Sequence, residues 1–241
     1  MHRRLLIRPG AIGDCILALP ELEAARADYT EVWAPRAVVP LIQFADRTRA
    51  IADTGLDSIG VRDDASLREL ESFDSIYSWY GFNFQPFRDA VRNLPFTFFP
   101  ALPVNVAGTP RIRVPDLPKE NLAILHPFSG SAKKNWPLEN FRDLASRLSI
   151  PAKFCAGPED RFEHAARIEN LFDLACFIST ASVYIGNDSG ITHLAAAAGT
   201  PVVAIFLATD PRIWRPRGDR VIVLEHPTVG QVVAAANAIR R

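Results

Sequence analysis

The chain has 241 residues, with 27 basic and 27 acidic side chains and 48% hydrophobic residues. This composition is ordinary for a globular protein with a sizeable core, and a net charge of zero predicts no extended basic surface for nucleic acid. The longest apolar run, residues 194–208, is interrupted by Gly-Thr-Pro and is shorter than the roughly 20 residues that cross a bilayer. We therefore predict a protein without a transmembrane segment, folded as one large domain or two small ones.

The three cysteines, Cys15, Cys155 and Cys176, are widely spaced in apolar surroundings. No Cys-x-x-Cys or Cys/His spacing suggests a zinc site. We expect buried free thiols in a reducing cytoplasm, and neither a metal nor a cofactor.

The first hundred residues alternate short apolar runs with helical patterns, which favours a parallel sheet covered on both faces. The predicted strands are 3–8, 30–34 and 74–80, and the predicted helices are 14–27 and 64–73.

Five prolines follow in residues 100–118, without a helical period, and this composition is typical of a linker. The alternation then restarts, with strands predicted at 121–127, 152–157, 181–186, 201–206 and 220–226 and helices at 137–148, 159–171, 189–199 and 228–241. The sequence thus predicts an α/β fold of two doubly wound halves, which bind ligands at the carboxyl ends of their strands. The predicted divisions are a domain at 1–100, a linker at 101–120 and a domain at 121–241.

The first strand-to-helix junction reads RPGAIGD at 8–14. Gly10 and Gly13 would let the backbone turn tightly and approach a ligand, but their spacing is not a dinucleotide-binding fingerprint. Asp14 is expected either to cap the following helix or to present a carboxylate that accepts a proton.

The second junction is HPFSGSAKKNWP at 126–137. Ser129, Gly130 and Ser131 form a small, hydroxyl-rich loop, and Lys134 follows shortly after. Backbone amides, hydroxyls and a lysine charge together suit a phosphate, although the order of residues is not that of a P-loop. The alternative is a solvated loop with surface lysines.

The third junction is GNDSGITH at 186–193. Asp188 or Ser189 would cap the next helix, and capping alone is one explanation of the motif. The other is an anion site, because Gly190 leaves the first-turn amides open and His193 lies on the same helical face as Ser189.

These three junctions, with AGPED at 156–160 and TDPRIWRP at 209–216, resemble the family-9 glycosyltransferases, which include the ADP-heptose:lipopolysaccharide heptosyltransferases. The resemblance implies a GT-B-type fold of two Rossmann-like halves facing across a cleft, with the N-terminal half shortened. It also implies an inverting transfer that needs no metal. Phe128 departs from the family, which more often has glycine there.

Residue by residue, the resemblance makes Asp14 the general base, on an acceptor-side loop with Gly10 and Gly13. The donor and its diphosphate would be held by Ser129, Gly130, Ser131, Lys134, Asp188, Ser189, Gly190 and His193.

The implied function is transfer of a sugar such as heptose from a nucleoside-diphosphate sugar, ADP-linked in this family, to a cell-envelope glycan such as lipopolysaccharide core. The implied partners are this donor and a glycan or glycolipid acceptor, in the cytoplasm or at the inner face of its membrane. The alternative is a non-catalytic nucleotide-sugar-binding protein that has lost acceptor recognition. A nicotinamide-dependent oxidoreductase is disfavoured because no G-x-G-x-x-G occurs.

Overall fold

The computed structural model describes residues 1–59, 64–101 and 108–240. The described chain forms two compact units, divided after Gly108, which lies inside the predicted linker at 101–120. Residues 102–107 of that linker lie outside the described residues. The part that follows belongs to the second unit, where Ile112 is buried and its N–H donates to the carbonyl of Ala197 at 2.9 Å.

The first unit is a parallel sheet of five strands in the order β3-β2-β1-β4-β5. Its strands are β1 (Arg3–Ile7), β2 (Tyr29–Ala34), β3 (Arg47–Ala50), β4 (Ser75–Ser78) and β5 (Phe96–Phe98). Its α-helices are α1 (Ile12–Ala24), α2 (Asp64–Leu70) and α3 (Gln85–Ala90). The apolar residues of the central strand β1 are fully buried, and two of them, Leu5 and Ile7, pack with Trp33 and Phe87 in one core.

The second unit is also a parallel five-stranded sheet, in the order β10-β9-β8-β6-β7. Its strands are β6 (Glu120–His126), β7 (Ala152–Phe154), β8 (Ala181–Asn187), β9 (Val202–Phe206) and β10 (Val221–Glu225). Its α-helices are α4 (Leu138–Arg147), α5 (Leu171–Ser179), α6 (Gly190–Ala197), α7 (Pro211–Trp214) and α8 (Val229–Ile239). β8 and β9 are buried along nearly their whole length, as expected for central strands of a sheet covered on both faces.

Each sheet has a point where the order of its strands reverses. In the first unit β1 lies between β2 and β4, and in the second unit β6 lies between β7 and β8. Ligands of doubly wound folds bind at such points, outside the carboxyl ends of the strands. RPGAIGD follows β1, HPFSGSAKKNWP begins at the end of β6, and the GNDSGITH motif spans the end of β8.

The helix predicted at 159–171 is wrong. The guanidinium of Arg167 donates to the carbonyls of Gly157, Asp160 and Phe162, and this holds the segment in turns. The side chain of Asn170 then accepts from the first amides of α5, which begins the helix only at Leu171. The sequence also did not predict the short elements β3, α3, β5 and α7.

Among the described residues, no helix is both long and apolar enough to cross a membrane.

Candidate functional site

The loop after β1 places Asp14 inside helix α1. Gly10 has φ of 125°, a conformation that suits glycine, so the predicted tight turn begins there. The helix begins at Ile12, and its cap residue Ala11 makes no side-chain cap. Asp14 therefore lies in the first turn and does not cap the helix, and Gly13 lies within the helix rather than before it. The capping interpretation of Asp14 is wrong: its carboxylate lies in the first turn, where the helix dipole favours a negative charge, and its role as a proton acceptor stays a prediction.

Arg8 ties this loop to the end of the strand. Its side chain is buried and donates to the carbonyls of Pro9 at 2.9 Å, Asp14 at 3.2 Å and Ala101 at 3.3 Å. Its guanidinium also lies 6.0 Å from the centre of the Trp79 ring. These contacts fix the backbone that carries Asp14.

The loop after β6 is organised by Ser129. Its Oγ lies 2.9 Å from the carbonyl oxygen of Ser131 and 2.7 Å from Oδ1 of Asn135. A Cβ atom at Gly130 would meet no atom within 4 Å, so the tip of the loop borders open space. Lys134 follows in a 3₁₀ turn, Ala132–Lys134.

The loop after β8 ends in a capped helix. Ser189 is the cap of α6, and its side chain accepts from the amide of Thr192, as one of the two capping predictions proposed. The remaining amides of the first turn, which starts at Gly190, have no partner within the helix, and they form the positive end of its dipole. His193 is buried one turn further along α6.

Lys134 and Asp188 form an ion pair across these two loops. Lys134 Nζ lies 2.8 Å from Asp188 Oδ2, with 31% of the lysine side chain and 5% of the aspartate side chain exposed. Thr209, from the loop after β9, donates its hydroxyl to the same oxygen at 2.5 Å. Three loops at the carboxyl edge of the sheet therefore meet at one carboxylate.

Asn187 also joins the loop after β8 to the loop after β6, and the sequence did not predict this role. Its Oδ1 accepts from the amide of Trp136 at 2.9 Å, and its Nδ2 donates to the carbonyl of Pro127 at 2.7 Å. The side chain is fully buried, so it fixes both ends of the loop that carries Ser129 and Lys134. The only signal in the sequence was a polar residue at the end of an apolar strand.

A buried histidine lies under the same edge. Burial lowers the pKa of His126 to about 4, against the opposing effect of the Asp160 carboxylate. Its Nδ1 has no hydrogen-bond partner among the described residues, and its ring stacks on that of Tyr184. His126 is therefore a neutral side chain beneath the loop.

The free thiols agree with the sequence prediction in part. All three cysteines are free, and Cys15 and Cys155 are buried, whereas Cys176 is partly exposed. Burial raises the pKa of Cys15 to about 11 and that of Cys155 to about 12. Neither buried thiol is a nucleophile at neutral pH.

The aromatic side chains of the two units differ in burial and in their contacts. In the first unit Trp79 and Phe87 are core residues, whereas Phe84 is 47% exposed. In the second unit the ring of Phe128 packs edge-on against Phe162, with ring centres 6.1 Å apart.

The sequence profile of glycosyltransferase family 9 (heptosyltransferase) matches residues 103–232, more than half of the chain. The chain belongs to glycosyltransferase family 9. The match contains the whole second unit up to α8 and every residue that the sequence reading assigned to the donor site, but not Asp14.

A curated relative is the lipopolysaccharide core heptosyltransferase OpsX of Haemophilus influenzae, 28% identical over 114 residues. The aligned segment covers 40% of this chain and 33% of OpsX, so the similarity spans about a third of that relative.

Two solved structures share the fold over nearly the whole chain. The ADP-heptose lipopolysaccharide heptosyltransferase II of Escherichia coli has a TM-score of 0.76 at 16% identity, covering 99% of this chain and 98% of that one. E. coli heptosyltransferase WaaC with ADP has a TM-score of 0.65 at 15% identity, with the same coverage of both chains. The predicted fold class, two Rossmann-like units of GT-B type, is confirmed.

Proposed function

We propose that the chain is an inverting, metal-independent glycosyltransferase that moves a sugar from a nucleoside-diphosphate donor to a cell-envelope glycan. The observation that carries this proposal is the meeting of Lys134, Asp188 and the start of helix α6 at the strand-order reversal of a family-9 domain. A diphosphate needs such a place, where cationic and amide donors converge.

Helix α6 supplies the first part of the charge stabilisation. As the bond between the sugar and the diphosphate breaks, negative charge accumulates on the departing phosphate oxygen. The first-turn amides after Ser189 are fixed before the reaction, so they stabilise this charge without reorganising.

Lys134 supplies the second part. Its ammonium group has three donors, and the ion pair with Asp188 occupies one of them. Two protons remain for phosphate oxygens. The Asp188 carboxylate would repel a diphosphate if it were not neutralised, and the lysine removes that repulsion.

Asp14 is the proposed general base. Its carboxylate accepts the proton of the acceptor hydroxyl while the acceptor oxygen attacks the anomeric carbon and the diphosphate leaves from the opposite face. The net result is transfer of the sugar with inversion, and release of a nucleoside diphosphate.

The names of the relatives suggest the substrates. OpsX is a lipopolysaccharide core heptosyltransferase, and the two structural neighbours are a heptosyltransferase II for ADP-heptose and an enzyme solved with ADP. We therefore propose ADP-heptose as the donor and lipopolysaccharide core as the acceptor.

The test is acceptor-dependent transfer from ADP-heptose by the wild type, Asp14→Asn and Glu21→Gln. Glu21 is an exposed carboxylate on the same helix, so its variant is the matched control. We expect Asp14→Asn to lower the transfer rate by about 10²–10⁴-fold, the range that general bases contribute, with ADP affinity unchanged. Glu21→Gln should retain wild-type activity.

A wild-type rate preserved in Asp14→Asn contradicts the assigned base. If ADP-heptose binds but no glycan acceptor is glycosylated, the result contradicts the proposed enzyme and supports the alternative, a non-catalytic nucleotide-sugar-binding protein. Transfer should persist in EDTA, and its loss would overturn the metal-independent mechanism.

A further inference from the structure

The carboxylate of Asp188 is held from two sides. Its Oδ2 accepts from Lys134 Nζ at 2.8 Å and from the Thr209 hydroxyl at 2.5 Å. The aspartate is almost fully buried, so water does not compete strongly for that oxygen. Thr209 is therefore the second anchor of the group that positions the lysine.

Thr209 begins the TDPRIWRP segment at 209–216, and the sequence prediction did not assign it to the donor site. It lies in the loop between β9 and α7, and the next residue, Asp210, accepts from the amide of Arg212 at the start of that short helix. The Asp210 cap thus fixes the end of the loop that leads into α7. A threonine held in this way offers its hydroxyl to Asp188 from a defined backbone position.

We propose that Thr209 is a positioning residue of the donor site, acting through Asp188 on Lys134. The proposal rests on the proposed function, because it assigns the lysine to the departing diphosphate. With the Thr209 hydroxyl in place, Oδ2 is shared between two donors, and the direction of the carboxylate is set. Without it, the carboxylate can rotate about its side-chain bonds and take the ammonium group with it.

A displaced Lys134 ammonium group would mainly weaken the stabilisation of the transition state. Negative charge on the leaving phosphate is greatest there, so a displaced ammonium group costs more in kcat than in ground-state binding. We expect Thr209→Val, which keeps the shape and removes the hydroxyl, to lower kcat about tenfold, while KM for the donor changes less than about threefold. Thr209→Ser should restore kcat.

The control is Thr200→Val. The hydroxyl of Thr200 donates to the carbonyl of Ile178 at 3.2 Å, in the same unit and away from the three loops. The same substitution there removes a buried hydrogen bond, so it should lower stability and leave kcat unchanged. A fall of kcat in Thr200→Val equal to that in Thr209→Val would show a merely structural effect.

A double-mutant cycle tests the route through the lysine. If Thr209 acts through Lys134, then adding Thr209→Val to Lys134→Ala should cause no further fall in kcat. Effects that multiply would overturn the proposal, as would an unchanged kcat in Thr209→Val.

A second measurement does not depend on turnover. The chain has only four lysines, Lys119, Lys133, Lys134 and Lys153, so ¹⁵N-lysine labelling gives few ammonium signals, and Lys134→Ala identifies one of them. That signal should shift in Thr209→Val and not in Thr209→Ser or Thr200→Val. An unshifted signal overturns the positioning role even if the wild type transfers no sugar, whereas a shifted signal in an inactive wild type contradicts only the proposed function.

Discussion

Single buried side chains determine the shape of the donor-site loops. Asn187 joins the two ends of the loop that follows β6, and the Lys134–Asp188 pair joins that loop to helix α6. The motifs predicted that polar residues would gather at this edge, but not their partners. Asp188 and Thr209 lie 21 positions apart, and no pattern in the sequence predicts a hydrogen bond between side chains so far apart along the chain. The role of each donor-site residue remains a prediction.

Removing the Asn187 amide should loosen the loop. Asn187→Ala leaves the Trp136 amide and the Pro127 carbonyl buried without their partners, and one such group costs about 1–3 kcal/mol. We expect urea denaturation to show a loss of stability of that order, together with weaker ADP binding. The exposed Asn83 is the control for an asparagine-to-alanine change. Unchanged stability would show that water replaces the amide.

His126 should make stability depend on pH. Its folded-state pKa of about 4 lies below the ordinary value of 6.5, so the unfolded chain binds a proton that the folded chain does not. The neutral His126 side chain contributes fully to the free energy of unfolding above pH 6.5, and this contribution is lost as the pH falls towards 4. This shift corresponds to about 3 kcal/mol.

The measurement is the free energy of unfolding of wild type and His126→Gln between pH 7 and pH 4. The wild type should lose more stability than the variant over this range, because only the wild type has a ring that takes up a proton in the unfolded chain while it stays neutral in the folded chain. Parallel curves would contradict the assignment.

Strands and helices differ in how well the sequence predicted them. The buried strands β6, β8 and β9 are long apolar runs between turn residues, so the pattern was sufficient. The segment 159–170 has helical periodicity but is held in turns by Arg167, and α5 was missed because its cap, Asn170, falls inside that false helix. The short strands β3 and β5 have 4 and 3 residues, too few for a period to be visible.

Gly186 should be intolerant of any side chain at the end of β8. A Cβ atom there would lie 2.6 Å from the hydroxyl oxygen of Tyr184, whose ring is fully buried. Gly186→Ala must therefore move the tyrosine, and overpacking of this kind typically costs about 1–3 kcal/mol. Calorimetry should show the lower melting temperature. Gly130→Ala is the matched control, because a Cβ at Gly130 meets no atom within 4 Å and should leave stability nearly unchanged.

Equal melting temperatures of Gly186→Ala and Gly130→Ala would show that Tyr184 has room to move. The contact with Tyr184 would then not explain the glycine at position 186.

At the scale of the whole molecule, the two units carry different parts of the proposed reaction. The second unit contains all the donor-site residues, and the first contains Asp14. Alternating strands and helices predicted two doubly wound sheets, and the family match and structural neighbours confirm the fold class. No motif of the first unit by itself identifies a glycan, so the predicted acceptor, lipopolysaccharide core, rests on the family resemblance and on the name of the relative OpsX.

Nucleoside diphosphate should stabilise the folded chain. A ligand at 100 times its dissociation constant adds about 2.7 kcal/mol, provided that it binds only the folded state. We expect ADP to raise the melting temperature of the wild type and of Lys133→Ala, whose lysine is exposed, but much less that of Lys134→Ala. Equal shifts in both lysine variants would contradict the assigned phosphate ligand.

The most direct test of the central claim is to follow the wild-type reaction with ADP-heptose and lipopolysaccharide core acceptor by NMR. The account predicts that the donor's anomeric signal disappears only when acceptor is present, and that the new glycosidic linkage has the opposite anomeric configuration. A product that retains the donor's configuration, or no transfer by a chain that binds ADP, would contradict it.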